Sequence, residues 1–124
     1  MHLVNDTTKL NLDGRRFALV SSTASEVDPY APTRFVYHEA DGLIWGSYDG
    51  DTVLLGRFAG TRRHDEVELG YVHVGKKSRE TVTGLSGSRI EVLPDGRLRL
   101  VEHFQFEGDD TPHVSICEEF ADEA

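Results

Sequence analysis

Asp41-Gly42-Leu43-Ile44-Trp45-Gly46-Ser47-Tyr48-Asp49-Gly50-Asp51-Thr52-Val53-Leu54-Leu55-Gly56-Arg57-Phe58 decides how this chain folds. Two turn signals, Asp41-Gly42 and Asp49-Gly50-Asp51, bracket one apolar, β-prone run and hand it on to a second. Asp-Gly and its relatives enter positive φ at little steric penalty, which is what a tight β-hairpin requires. Outward from this hairpin the same punctuation recurs at roughly ten-residue intervals. The sites are Asp13-Gly14, His64-Asp65, Gly75-Lys76, Asp95-Gly96 and Gly108-Asp109. The chain therefore reads as consecutive antiparallel hairpins, a β-meander.

Alternation and composition place eight strands near 15–23, 33–40, 43–49, 52–61, 66–74, 79–91, 97–107 and 112–120. A meander leaves its first and last strands as open edges, and pairing them with each other satisfies both. The expected fold is all-β: an eight-stranded antiparallel up-and-down meander closed into a barrel, one domain over residues 1–124. Residues 1–12, with Leu3, Val4, Leu10 and Leu12, form a lead-in segment or a plug over one barrel end. The long connection over 24–32 holds Pro29 and Pro32, which cannot donate to a ladder, and is read as a lid loop.

The composition narrows the partners. Thirteen Lys and Arg against 22 Asp and Glu give a net charge of −9, so nucleic acid and anionic membranes are excluded as expectations. No apolar run approaches the roughly 20 residues of a membrane helix. One cysteine, Cys117, excludes an internal disulfide, and Met1-His2-Leu3 lacks the basic-then-apolar plan of a secretory leader, so a cytoplasmic location is the expectation. A homo-oligomer is compatible with all of this.

An eight-stranded barrel either fills with side chains or holds one small ligand, so its inward face carries the function. Along Glu66 to His73 the glutamates mark the solvent side, which turns Val67, Leu69, Tyr71 and His73 inward. The same reasoning sends Leu98, Leu100, Glu102, Phe104 and Phe106 inside on the seventh strand, and Phe35, Tyr37 and Glu39 on the second. On the eighth, Val114, Ile116, Glu118 and Phe120 are expected inside, with Ser115, Cys117 and Glu119 outside. The third and fourth strands are ambiguous in hydropathy. Their glycine faces (Ile44, Gly46, Tyr48 and Gly50; Leu54, Gly56 and Phe58) are taken as inward, continued by Val82, Gly84 and Ser86, because strand glycines mark close approach to the backbone.

Here the chain resembles the calycin group of lipocalins, fatty-acid-binding proteins and avidins. Leu43 to Asp49 followed by Val53 to Phe58 is similar to the avidin pattern Gly-x-Tyr and then Gly-Arg-aromatic. That resemblance implies a ligand-facing role for Tyr48. Avidins surround biotin with several tryptophans, whereas Trp45 is the single tryptophan here. Most of the chain also resembles short bacterial proteins with the motif order Phe35-Val36-Tyr37, Gly46 to Gly50, Tyr71-Val72-His73, Leu93 to Arg97, and Glu102 with Phe104. Such proteins are often labelled N-acetylglutamate synthase-like. Acetyl transfer of that kind requires an α/β fold with a Gly-rich pyrophosphate loop before a helix, and neither is present.

The candidate ligand-binding cluster is Tyr37, Glu39, Tyr48, Tyr71, His73, Ser86, Glu102, Phe104 and Glu118. Burying a carboxylate costs several kcal/mol unless it is paired or protonated, so two or three of them in a lumen call for a reason. One reason is a site; the other is a structural network satisfied by Tyr hydroxyls, Ser86 or an Arg. The first functional reading is a small-molecule binder holding a compact, largely apolar ligand oriented by Tyr, His and Glu. The alternative is a cofactor-free isomerase, cyclase or dehydratase with Glu102 and His73 as acid and base. No cofactor is called for. No histidine pair has zinc-ligand spacing, so no metal is expected. Cys117 beside acidic neighbours is expected to be a blunt nucleophile, and no Gly-x-Ser-x-Gly elbow exists.

Overall fold

The computed structural model describes residues 9–120. It contains β1 (Arg16–Ser22), β2 (Arg34–Ala40), β3 (Leu43–Gly50), β4 (Val53–Arg63), β5 (Glu66–Gly75), β6 (Thr81–Val92), β7 (Leu98–Phe106) and β8 (His113–Glu119). Each strand pairs antiparallel with the next, and β8 returns to pair with β1, closing the barrel. The turn chemistry is the one the sequence announces. Asp41 and Gly42 both take positive φ, at 53° and 76°, which is the backbone of a two-residue type I′ hairpin.

One end of the barrel is packed. Leu12, Phe17, Ile44, Val67, Leu98 and Leu100 are buried essentially completely, and Leu10 joins them from the segment before β1. Leu10 and Leu12 of the expected plug thus enter the core, while Leu3 and Val4 lie outside the described residues. The same end holds a buried ion pair. Arg62 reaches Glu39 with Nη2 to Oε2 at 2.8 Å, and the Leu12 amide donates to Glu39 Oε1 at 3.0 Å.

The inward glycines have a specific use. Gly56 lies opposite Tyr48, Gly46 opposite Phe58 and Gly84 opposite Tyr71. A Cβ on any of the three would run into the ring facing it. Each aromatic side chain therefore lies flat against a neighbouring strand. The sequence reading that these glycine faces point inward holds, but the close approach is made by the protein's own rings.

Two strands depart from the expectation. A register shift between Val53 and Leu55 places Val53 inside and leaves Leu54 exposed, because a bulge reverses the alternation that period two assumes. On β8 the whole face is inverted: Ser115 and Cys117 are buried. Glu118 is corrected to the outer wall, paired in register with Arg99, whose Nη1 is 3.8 Å from Glu118 Oε2. The physical reason is ladder register. Glu102 faces Ser115 and Leu100 faces Cys117 across the β7–β8 pair, so small side chains take the lumen and the acid finds a cation outside. Glu119, expected on the outer face, is bidentate to Arg15 Nη1 at 2.9 and 3.0 Å and accepts from the Leu98 amide.

Replacing Gly56 by Ala forces Tyr48 off the wall and is expected to lower stability by about 1–3 kcal/mol. Gly70→Ala, whose Cβ would meet only Leu85 at an ordinary contact distance of 3.8 Å, should stay within about 0.5 kcal/mol of the parent. Chemical denaturation of both variants checks the pair. Arg62→Met leaves Glu39 buried and without its cation, and is expected to cost roughly 3–5 kcal/mol in the same measurement.

Candidate functional site

Above the packed layer the lumen opens into a cavity of about 240 Å³. Its floor is Tyr37, Phe58 and Leu69, and its walls carry Tyr48, Tyr71, His73, Ser86, Glu102, Phe104 and Phe106. Ser22, Ala24, Ser25, Thr33 and Thr52 ring the mouth. The loop between β1 and β2 is tied there by two contacts. The Asp28 amide donates to Asp51 Oδ2 at 2.9 Å, and Thr33 Oγ1 donates to the Gly50 carbonyl at 3.1 Å.

Aromatic rings form a continuous belt around this space. Phe35 stacks on Tyr48 at 5.2 Å between centroids, Tyr71 stacks on His73 at 6.2 Å, and Phe104 meets Tyr71 edge-on at 6.4 Å. The belt has few polar points, and their partners are known. Tyr48 Oη and His73 Nδ1 are 2.9 Å apart, and Tyr71 Oη donates to the Gln105 carbonyl at 3.1 Å. Burial lowers the His73 pKa from its ordinary value, which keeps the ring neutral near pH 7. Burial also pushes the Tyr71 pKa up to about 12, with the Glu102 charge adding to the rise. The Tyr48 pKa is raised for the same two reasons, with Tyr71 contributing further.

Glu102 is the exception in this lumen. It projects from the middle of β7 with Ser88 opposite on β6 and Ser115 opposite on β8. Burial raises its pKa, partly offset by the nearby Ser86 hydroxyl, and among the described residues no cation tempers it. Ser86 Oγ and Ser88 Oγ are themselves buried and stop short of hydrogen-bond geometry with any partner, while Ser115 Oγ is taken up by Ser22 at 2.9 Å. The cavity thus contains a carboxyl group without a counter-ion beside buried hydroxyls without partners. Groups of this kind are usually satisfied in a native protein, and a bound molecule is one way to satisfy them.

Of the residues singled out from sequence, Tyr37, Tyr48, Tyr71, His73, Ser86, Glu102 and Phe104 line one cavity. Glu39 faces inward as expected but lies at the packed end, closed off by Arg62. Its position two residues before the Asp41-Gly42 turn, opposite in direction to the mouth loop, is the signal that places it there. Glu118 is on the outer wall. Glu102 and His73, read together as an acid and a base, share no hydrogen bond; His73 is engaged by Tyr48. Cys117, expected outside, is buried, and its thiol pKa is raised by burial first and the Glu102 charge second. Ser88 and Ser115 were not anticipated. Given Glu102 inside, cross-strand register alone would have found them. Trp45 lies on the outer face and stacks on His38, so no tryptophan lines the lumen. Among the described residues, no three His, Cys, Asp or Glu side chains are placed to hold a metal ion.

A family model described as "Avidin-like protein" matches residues 10–120. No curated protein and no solved structure matches the chain.

Glu102 also predicts a pH signature of the free protein. A carboxyl whose folded pKa is raised keeps its full contribution to stability below its unfolded pKa and loses it as the pH rises through the folded one. Glu102→Gln removes that loss. Its denaturant midpoint is expected to exceed the parent's at pH 8 and to converge on it at pH 4, as read by urea titrations at the two pH values.

Proposed function

Because this chain belongs to the avidin-like protein family, we propose that it is a binding protein whose half-open lumen takes one compact, largely apolar small molecule. The observation that carries the reading is the uncompensated Glu102 carboxyl facing a cavity walled by aromatic rings. A cavity of about 240 Å³ is at the small end for ligand sites, which suits a molecule of one or two rings. The apolar belt supplies affinity by excluding water. Glu102 and Ser86 supply orientation, since polar groups without partners favour a molecule that completes their hydrogen bonds.

Aromatic contact and the acid act on different parts of the ligand. Truncating Phe104 removes wall surface, whereas changing Glu102 to Gln keeps the shape and removes the charge. Thermal-shift screening against a library of small metabolites is expected to reveal stabilising compounds, because anything that binds only the native state adds about 2.7 kcal/mol at a hundredfold excess over Kd. For a hit, Phe104→Ala and Glu102→Gln should each weaken binding by about tenfold or more, measured by isothermal titration. Unchanged affinity in both variants would remove the lumen as the binding site.

A further inference from the structure

The charge layout of the lumen and its mouth restricts the ligand further, within the reading that this cavity binds a small molecule. Glu102 carries the one carboxylate among the residues lining the cavity, and no Lys or Arg lines it among the described residues. Ser86, 7% exposed, and Ser88, 5% exposed, flank the acid with hydroxyl oxygens that have no partner. These hydroxyls, each able to donate or to accept, sit beside the carboxylate in one corner. The other ionisable groups facing Glu102 do not compensate its charge. Tyr37 from β2, Tyr48 from β3, Tyr71 from β5 and Cys117 from β8 are all held in their neutral forms, and His73 from β5 is kept neutral by burial.

Two further observations favour positive charge. Aromatic rings line the same cavity as the acid, and aromatic π systems attract cations, the more so where water is excluded. The mouth is acidic as well: Glu26 and Asp28 on the loop after β1, Asp51 after β3, and Glu107, Asp109 and Asp110 after β7. Only the loop after β5 opposes them, with Lys76, Lys77 and Arg79 beside Glu80. With a net charge of −9 on the whole chain, the field at the entrance draws cations in and turns anions away.

We propose that the lumen is selective for a compact organic monocation, its protonated nitrogen paired with the Glu102 carboxylate and the Ser86 hydroxyl and its apolar body seated against Phe104, Phe106 and Tyr71. Such a nitrogen supplies the missing counter-charge and donates to the acceptors that the protein leaves open. A carboxylate ligand would place two like charges in one low-dielectric cavity, and a neutral alcohol would leave the acid without its counter-ion.

The test uses small arylalkylamines against alcohols and acids of the same shape, beginning with phenethylamine, 2-phenylethanol and phenylacetate on the full chain. Near neutral pH the amine should bind at least about tenfold more tightly than the alcohol, and the acid should give no measurable binding by thermal shift or calorimetry. Glu102→Gln should erase the preference for the amine. On the unmodified protein, amine affinity should rise with pH as Glu102 ionises and fall again as the amine loses its proton near about pH 10, which tests the pairing even if the variant folds poorly. An alcohol that equals the amine, or an acid that exceeds it, overturns the charge selectivity and leaves the binding pocket standing. Failure of every amine while a neutral library compound binds has the same meaning. Failure of both compound sets removes the pocket reading together with this one.

Discussion

Closure of the sheet by the β8–β1 ladder is the constraint on which the rest of this protein depends. Once the first and last strands pair, no edge is left to solvent and every second side chain is committed to the lumen. The β7–β8 and β8–β1 registers then leave no freedom in β8. Ser115 and Cys117 go inside although Val114 and Ile116 are the more apolar pair, because the alternative would slip two ladders at once.

The lumen is divided, and two glutamates mark the division. Glu39 at the packed end is answered by the Arg62 guanidinium and the Leu12 amide, so its burial is a matter of structure. Glu102 in the open half has no such answer, and its pKa is raised. Both acids arise from the same inward alternation, and both face the lumen. What separates them is whether a neighbouring strand delivers a cation. A fold that leaves one inward acid without a cation gives up stability at that position.

The cavity stays open because of how its rings are stored. Tyr48, Phe58 and Tyr71 lie against Gly56, Gly46 and Gly84, so their bulk is taken into the wall and does not fill the space above the floor. The same arrangement fixes the hydroxyl of Tyr48 on His73 and that of Tyr71 on a β7 carbonyl. The polar points of the belt are thus held by the protein, and the polar groups left over are the Glu102 carboxyl and the Ser86 and Ser88 hydroxyls.

By itself the sequence determined the meander, its turns and most of its inward faces. Asp41-Gly42 and its relatives act through local backbone preference, and Glu66 to His73 alternates cleanly enough that solvent and core are unambiguous. Glu102 was legible for the same reason, standing among Leu98, Leu100, Phe104 and Phe106. The tertiary structure alone decided the face of β8, the bulge at Val53 and the fate of the two inward acids. On β8 the more apolar pair, Val114 and Ile116, is not the buried one, so local pattern points the wrong way and the neighbouring ladders decide. Arg62 is 23 residues from Glu39, and no local rule announces their meeting. Periodicity reports which side of a strand a residue occupies; which charge it meets there is set by chain segments far away in sequence.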